Sequence, residues 1–247
     1  MTPDADGTAV SWAEPGEAEP PSTVRMSLAG EGDAVATLRE LAPPDLDGVV
    51  RFHREVIASL DDPASMYPRD RGFFADVLGG RGRLAGGFHD GRLIAYATLR
   101  LPRGPEAWLA QPLSLPEAEC GVVAQFEGSA VHPIYRGHAL QYHLNAWRVR
   151  FARDAGARHA LALVSPTSPF SLRSHLRHGL RVAGVYVDRD GPNFLVHRDL
   201  HAPATPPRPI ERAPLTDFER HRDLLRRGLR GVALARDAAG FHVDYAG

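Results

Sequence analysis

The sequence predicts a mixed α/β protein, with helices packed on one central sheet, on three observations. Two Asp-Gly dipeptides, Asp90-Gly91 and Asp190-Gly191, each lie between apolar runs; such a pair supplies the positive φ of a tight hairpin turn. An apolar run over 121–131, a long amphipathic segment ending near Ala155 and a short apolar run from His159 to Val164 make a strand–helix–strand unit. Two further segments, after Pro44 and after Ser168, carry helical spacing. Hairpins beside a strand–helix–strand unit argue for a sheet with both kinds of connection.

Residues 1–33 are rich in Ala, Pro, Gly, Glu and Asp and poor in large apolar groups, so they are expected to stay unstructured. Alternation from Val35 to Leu41 predicts the first strand. Pro43-Pro44-Asp45 ends it, with Asp45 placed to cap a helix whose stripe is Leu46, Val49, Val50, His53, Val56, Ile57 and Leu60. A short helix over 69–78 ends at Gly79-Gly80. Leu84 to Phe88 and Leu93 to Leu101 form the first hairpin, and 103–119 reads as a loop.

Gly121 to Val131 is the next strand. The helix after it has the stripe Leu140, Leu144, Trp147, Phe151 and Ala155, closed by Gly156. Ser168-Pro169 starts another helix and Gly179 ends it. Val182 to Val187 and Phe194 to Arg198 pair as the second hairpin. Residues 201–214 hold five prolines and read as an extended linker. Thr216-Asp217-Phe218-Glu219 has the pattern of a capping box for a last helix, and Phe241 to Tyr245 is a final strand. The expected organisation is an unstructured 1–33, a domain over 34–200, and a linker with a helix–strand extension over 201–247.

Composition narrows the function classes. With 29 Lys and Arg against 30 Asp and Glu the net charge is −1, which gives no electrostatic footprint for nucleic acid or an anionic membrane. No run approaches the roughly 18 apolar residues of a membrane span, and the N-terminus lacks a signal-peptide pattern. The single cysteine, Cys120, excludes an internal disulfide and a thiolate metal cluster, and fits a cytoplasmic location. No metal is expected: His175 and His178 lack the partners of a metal motif.

The segment that carries chemistry is Val131-His132-Pro133-Ile134-Tyr135-Arg136-Gly137-His138-Ala139-Leu140-Gln141. A strand, a tight turn with Arg and Gly, and a long helix follow one another. The first turn of a helix leaves amide N–H groups unpaired and carries the positive end of the dipole, so the turn can hold a pyrophosphate. It is neither a Walker A loop nor a dinucleotide fingerprint. Read from spacing alone, a plain strand-to-helix turn with an exposed Arg is equally admissible.

The same residues resemble the pyrophosphate-binding motif of the GNAT acyltransferases. The resemblance continues through Val164-Ser165-Pro166-Thr167-Ser168-Pro169-Phe170-Ser171-Leu172 and His178-Gly179-Leu180, and the order of elements agrees over roughly 35–200. It implies a mixed, mostly antiparallel GNAT-like sheet flanked by helices. It also implies acetyl-CoA, or another acyl-CoA, as cosubstrate. Ala130 and Val131 would lie along the pantetheine, while Arg136, Gly137, His138, Ala139, Leu140 and Gln141 surround the pyrophosphate. Ser168 and Ser171 would complete the cofactor side. Ala139 and Gln141 replace commoner Gly or Ala, and Ser168 replaces the frequent Asn. His175, four before Gly179, stands where many relatives have a Tyr that protonates the departing thiolate.

Two catalytic candidates follow. Glu127, on the strand and by alternation on one face with Ser129 and Val131, could take the amine proton; an ion pair with an Arg, or exposure at a bulge, is its bland alternative. His175, one turn after Ser171 on the same helix face, could protonate sulfur near neutral pH; a solvated surface histidine is its alternative. Amide formation needs no covalent nucleophile, so Cys120 is free of any such role.

These residues lead to an N-acyltransferase, expected to be an N-acetyltransferase, acting by direct attack of a primary amine on acyl-CoA. The acceptor is expected to be a small-molecule amine rather than a protein, and the chain a monomer or homodimer. A non-catalytic acyl-CoA sensor on the same fold is the second reading. An interaction protein whose turn binds another phosphate ligand, or nothing, is the third.

Overall fold

The computed structural model describes residues 20–247 apart from 29–31, 62–65, 104–105, 189–190 and 204–207. Its centre is an 11-stranded sheet in the order β1-β2-β3-β4-β5-β6-β8-β7-β10-β11-β9. The strands are β1 Thr23–Leu28, β2 Gly32–Glu40, β3 Gly82–His89, β4 Arg92–Arg100, β5 Val123–Val131, β6 His159–Val164, β7 Arg181–Asp188, β8 Gly191–Asp199, β9 Glu211–Pro214, β10 Arg230–Asp237 and β11 Gly240–Ala246. The helices are α1 Leu46–Ala58, α2 Arg71–Asp76, α3 Leu140–Asp154, α4 Pro169–Arg177 and α5 Phe218–Arg226. Among the described residues β5 and β6 pair in parallel and the other neighbours antiparallel, so the sheet is mixed and mostly antiparallel, as expected.

Two cores cover its two faces. Leu140, Leu144 and Phe151 of α3 and Leu172 of α4 pack with Ala95, Ala97, Ala124 and Phe126 of the sheet. Val49, Phe52 and Val56 of α1 and Phe74 of α2 pack with Leu84, Tyr96 and Ala130. Alternation along β4 sends Ala95 and Ala97 to the α3 side and Tyr96 to the α1 side.

Several elements differ from the sequence expectation. Within 1–33, residues 1–19 lie outside the described ones, yet Thr23–Leu28 is a strand. Val24, Met26 and Leu28 alternate inward and are almost fully buried, and pairing with β2 satisfies the backbone; the alternation lies inside a stretch whose overall composition reads as unstructured. In the Pro-rich 201–214, Glu211–Pro214 is an edge strand against β11, a place where Pro is tolerated. The last strand is a hairpin, β10 with β11. Asp217, not Thr216, caps α5, accepting from the Arg220 amide at 3.0 Å. Asp45 makes no side-chain cap on α1; it pairs with Arg39 at 2.7 Å and accepts from the Ala42 amide. The Asp90-Gly91 turn has the positive φ its sequence requires, 49° and 73°. Asp190 lies outside the described residues.

The C-terminal hairpin joins the main sheet through one register pair, Gly231 with Val182. A Cβ at Gly231 would lie 2.7 Å from Val182 Cβ and from Val243 Cγ1, so the junction depends on the missing side chain.

Candidate active site

The sheet opens in the middle. β5 and β6 pair only from Val123 to Gln125 against His159 to Leu161. Beyond that point β5 continues beside β4 and β6 beside β8, so the two strands part. The gap is a cleft of about 540 Å³, within the range of small-ligand sites. Phe126, Glu127, Gly128 and Ser129 line one side; Leu163, Val164, Ser168, Ser171 and His175 line the other.

A bulge shapes the β5 wall. Ala97 faces Ser129 and Leu99 faces Phe126, so Glu127 and Gly128 together oppose Thr98. Gly128 has φ 65°, a conformation that glycine adopts without strain. The extra residue reverses the alternation: Ala124 and Phe126 face the α3 core, whereas Ala130 faces the α1 core and Val131 the α3 core. This corrects the expectation that Glu127 shares a face with Ser129 and Val131. Ser129 accepts from Gln141 Nε2 of α3 at 3.2 Å. Glu127 lies on the other face, where Arg69, between α1 and α2, donates to its Oε2 at 3.0 Å. Burial raises the Glu127 carboxyl above the usual carboxylate range, opposed by Arg69 and Arg100.

Beside Glu127 lies a chain of fixed protons. The Arg69 amide donates to His53 Nε2 at 2.8 Å, so the neutral imidazole carries its proton on Nδ1, directed at the Tyr96 hydroxyl 2.8 Å away. Burial, then Arg69 and Arg54, pushes His53 down to about 4. Burial also raises the Tyr96 phenol. With its oxygen accepting from His53, the Tyr96 proton points to no acceptor among the described residues, and Tyr96 lines the cleft. Tyr67, Arg69, Arg100 and Trp108 complete that side.

The turn predicted to hold phosphate lies between β5 and α3. Pro133–Tyr135 is a short 3-10 turn, Tyr135 is 3.2 Å from His89 Nδ1, and Arg136 donates from Nε to the Val131 carbonyl at 3.3 Å. Arg136, Gly137 and Ala139 are exposed and His138 is half-buried. Gly137 has φ 87° with open space where a Cβ would stand. Ala139 is left-handed at φ 56° and gives α3 no side-chain cap, so the first amides of the helix lack a capping side chain at the surface. Leu140 is buried in the core. Gln141 Nε2 also reaches Ser171 Oγ at 3.0 Å, tying β5, α3 and α4 together. Ser168 precedes α4 without capping it by its side chain.

His175 is not a surface histidine: it is 4% exposed. Its Nδ1 lies 2.7 Å from the Ser171 carbonyl, which can only accept, so the proton is on Nδ1. Nε2 is left as an acceptor, 3.4 Å from Arg148 Nη2. Burial, then Arg148, pushes His175 down to about 3. His178 is buried likewise, donating from Nε2 to the Tyr142 carbonyl at 2.7 Å and stacked on that ring at 4.4 Å; burial takes it down to about 4. Neither imidazole carries a proton it can give at neutral pH, which removes the ground for His175 as the acid.

Sequence reasoning assigned no site role to His53, Arg69, Tyr96 or Arg148. Arg148 had a legible signal: it stands four after Leu144 on the buried stripe of α3, an improbable place for an exposed Arg. The other three come together only through tertiary structure. Among the described residues no three His, Cys, Asp or Glu side chains gather as a metal site, and no helix is long and apolar enough to cross a membrane.

No protein-family model matches the chain, and no curated protein matches its sequence. Solved structures do match in fold. An N-acetyltransferase from Staphylococcus aureus Mu50 superposes with a TM-score of 0.53 at 15% identity, covering 67% of this chain and 98% of that one. An acetyltransferase of the GNAT family from Streptococcus pneumoniae gives 0.52 at 14% identity, over 66% and 98%. Arabidopsis thaliana NAA60 in complex with acetyl-CoA gives 0.51 at 16% identity, over 68% and 99%. The chain therefore has the GNAT fold, with about a third of its length outside the match.

Proposed function

We propose that the chain is an acyl-CoA-dependent N-acyltransferase, with acetyl-CoA as the first donor to test. The observation that carries this reading is the parting of β5 from β6 after Gln125 and Leu161, at one end of a segment whose other end is an exposed helix start. The two features suit one ligand: a diphosphate at the turn and a thin, amide-bearing arm along the unpaired edge of β5 near Ala130 and Val131. Arg136, Gly137, His138, Ala139, Leu140 and Gln141 would surround the diphosphate, chiefly through main-chain N–H groups. Ser168 and Ser171 would flank the arm from α4. Two of these neighbours in fold bear acetyltransferase names and the third is in complex with acetyl-CoA, which supports the reading.

In this proposal Glu127 is the base. Its carboxyl, raised by burial against Arg69 and Arg100, is a stronger base than an ordinary carboxylate and would take the amine proton directly or through one water. Tyr96 offers a hydroxyl proton to a ligand oxygen, with His53 holding the phenol in place. The thioester supplies the activated acyl group, and attack by the amine is direct. His175 orients Arg148 rather than donating a proton.

The proposed acceptor is a small-molecule amine, bounded by Tyr67, Arg69 and Trp108, in a monomer or homodimer acting in the cytoplasm. Isothermal titration with acetyl-CoA tests the first step, and no binding at millimolar ligand refutes it. Thiol release across a panel of amines tests the second. One observation favours the sensor reading: the His175 proton is committed to the Ser171 carbonyl, so this imidazole has none to give to sulfur. CoA binding with no thiol release for any amine would support that alternative.

A further inference from the structure

Among the described residues Arg148 is a buried cation without a counter-ion. It lies eight residues into α3, about 12 Å along the axis at roughly 1.5 Å per residue, and is 1% exposed. Nη2 donates to Asn145 Oδ1 and faces His175 Nε2 at 3.4 Å. Cζ stands 4.7 Å over the Phe126 ring, and Nε is buried with no acceptor. Asn145 is itself held by Ser174 Oγ at 2.7 Å. Every one of these neighbours is neutral, and no carboxylate pairs with Arg148 among the described residues. The titratable groups around it are Tyr96 on β4, His175 on α4 and His178 just after α4, all uncharged, with Glu127 on β5 across the cleft. An unpaired buried charge is costly, so a fold that keeps one at a cleft wall implies an anion that arrives there.

The two faces of the sheet say which anion. Alternation after Phe126 puts Glu127 on the α1 face, whereas Phe126 and Arg148 lie on the α3 face. A carboxylate and a guanidinium thus flank the cleft from opposite faces of the sheet, as the two sides of an acyl carbon must be served when an amine arrives and a sulfur leaves. We infer that Arg148 receives the departing thiolate of CoA, as an ion pair that replaces proton donation. This rests on the acyl-transfer reading. The amine nitrogen bonds to the acyl carbon, the C–S bond breaks and its electron pair goes to sulfur. The proton lost by nitrogen passes to Glu127 and then to water, and the thiolate is protonated in solvent after release. Burial lowers the guanidinium to about 9, so it is still charged at neutral pH.

The experiment needs no acceptor. CoA is titrated with pH in the presence of excess protein, and the ultraviolet absorbance of its thiolate reports the pKa of the bound thiol. An ordinary thiol titrates near 8.5 and falls beside cationic groups; bound to the wild-type protein, the CoA thiol is expected at least about one unit lower than free. Arg148→Met returns it to the free value or above, and Arg148→Lys keeps it lowered, neither of which a purely structural role predicts. Should Arg148→Met not fold, the wild-type titration still decides. Binding with an unshifted thiol overturns the inference and leaves the acyl-transfer reading standing; failure to bind CoA overturns both.

Discussion

Acidification should destabilise this protein through three histidines well before its carboxylates titrate. His53, His175 and His178 are each at most 4% exposed, and each has its proton committed by a neighbour: the Arg69 amide, the Ser171 carbonyl and the Tyr142 carbonyl. Their folded values fall to about 4, 3 and 4 from 6.5. Between those values and 6.5 the unfolded chain binds more protons than the folded one, so stability is complete above 6.5 and is lost as pH falls toward 4. At pH 5 each group costs about 2 kcal/mol, by roughly 1.4 kcal/mol per unit over the interval titrated, or about 6 kcal/mol together, comparable to the whole stability of many domains. Glu127 opposes this with the reverse sign, since its raised carboxyl gains a proton more readily in the folded state, but it is one group against three. Urea denaturation at pH 7.5 and pH 5.0 measures the difference. A loss of less than about 1 kcal/mol would refute the reasoning, and histidine ring resonances followed by NMR would show which imidazole titrates normally.

Three further outcomes are expected. Glu127→Gln should lower turnover by about 10²- to 10⁴-fold with little change in acetyl-CoA affinity, and should abolish an ascending limb of the pH–rate profile that lies above the ordinary carboxylate range. Gly137→Val places a branched side chain at φ 87°, where strain of about 1–2 kcal/mol is expected; calorimetry should show weakened acetyl-CoA binding with the fold retained by circular dichroism. Gly231→Val drives side-chain atoms into Val182 and Val243; overpacking of this kind costs about 1–3 kcal/mol and should appear as a lower melting temperature with protease cleavage near 201–214.

The parts of the fold legible in the sequence are those set by local chemistry. Asp90-Gly91 specifies its turn whatever surrounds it, and the stripe of α3 places Leu140, Leu144 and Phe151 in the core they occupy. What sequence could not supply depends on a partner strand. β9 is too short to be a strand alone and becomes one by pairing with β11, whereas β1 carries the alternation Val24, Met26, Leu28 inside a stretch whose overall composition hides it. The same division holds in the site. The turn between β5 and α3 was legible because Gly137 and a helix start are adjacent in sequence, and Glu127 drew notice because a charge on a buried strand is conspicuous. Its face was not legible, since the bulge depends on how β5 registers on β4. His175 read as a candidate acid, with a surface histidine as the alternative, because its buried partners, Arg148 and the Ser171 carbonyl, were not visible as such.

The bulge also sets how β5 answers to a change in length. Between Phe126 and Ala130 the chain has one residue more than an even pleat would use, and that surplus turns Ala130 toward α1 and Val131 toward α3. Removing Gly128 would leave Glu127 alone opposite Thr98 with Ser129 still on Ala97, so Ala130 and Val131 would keep their cores while the strand lost its kink. The spare residue thus shapes the opening rather than the packing, and a shortened β5 should fold normally with an altered mouth.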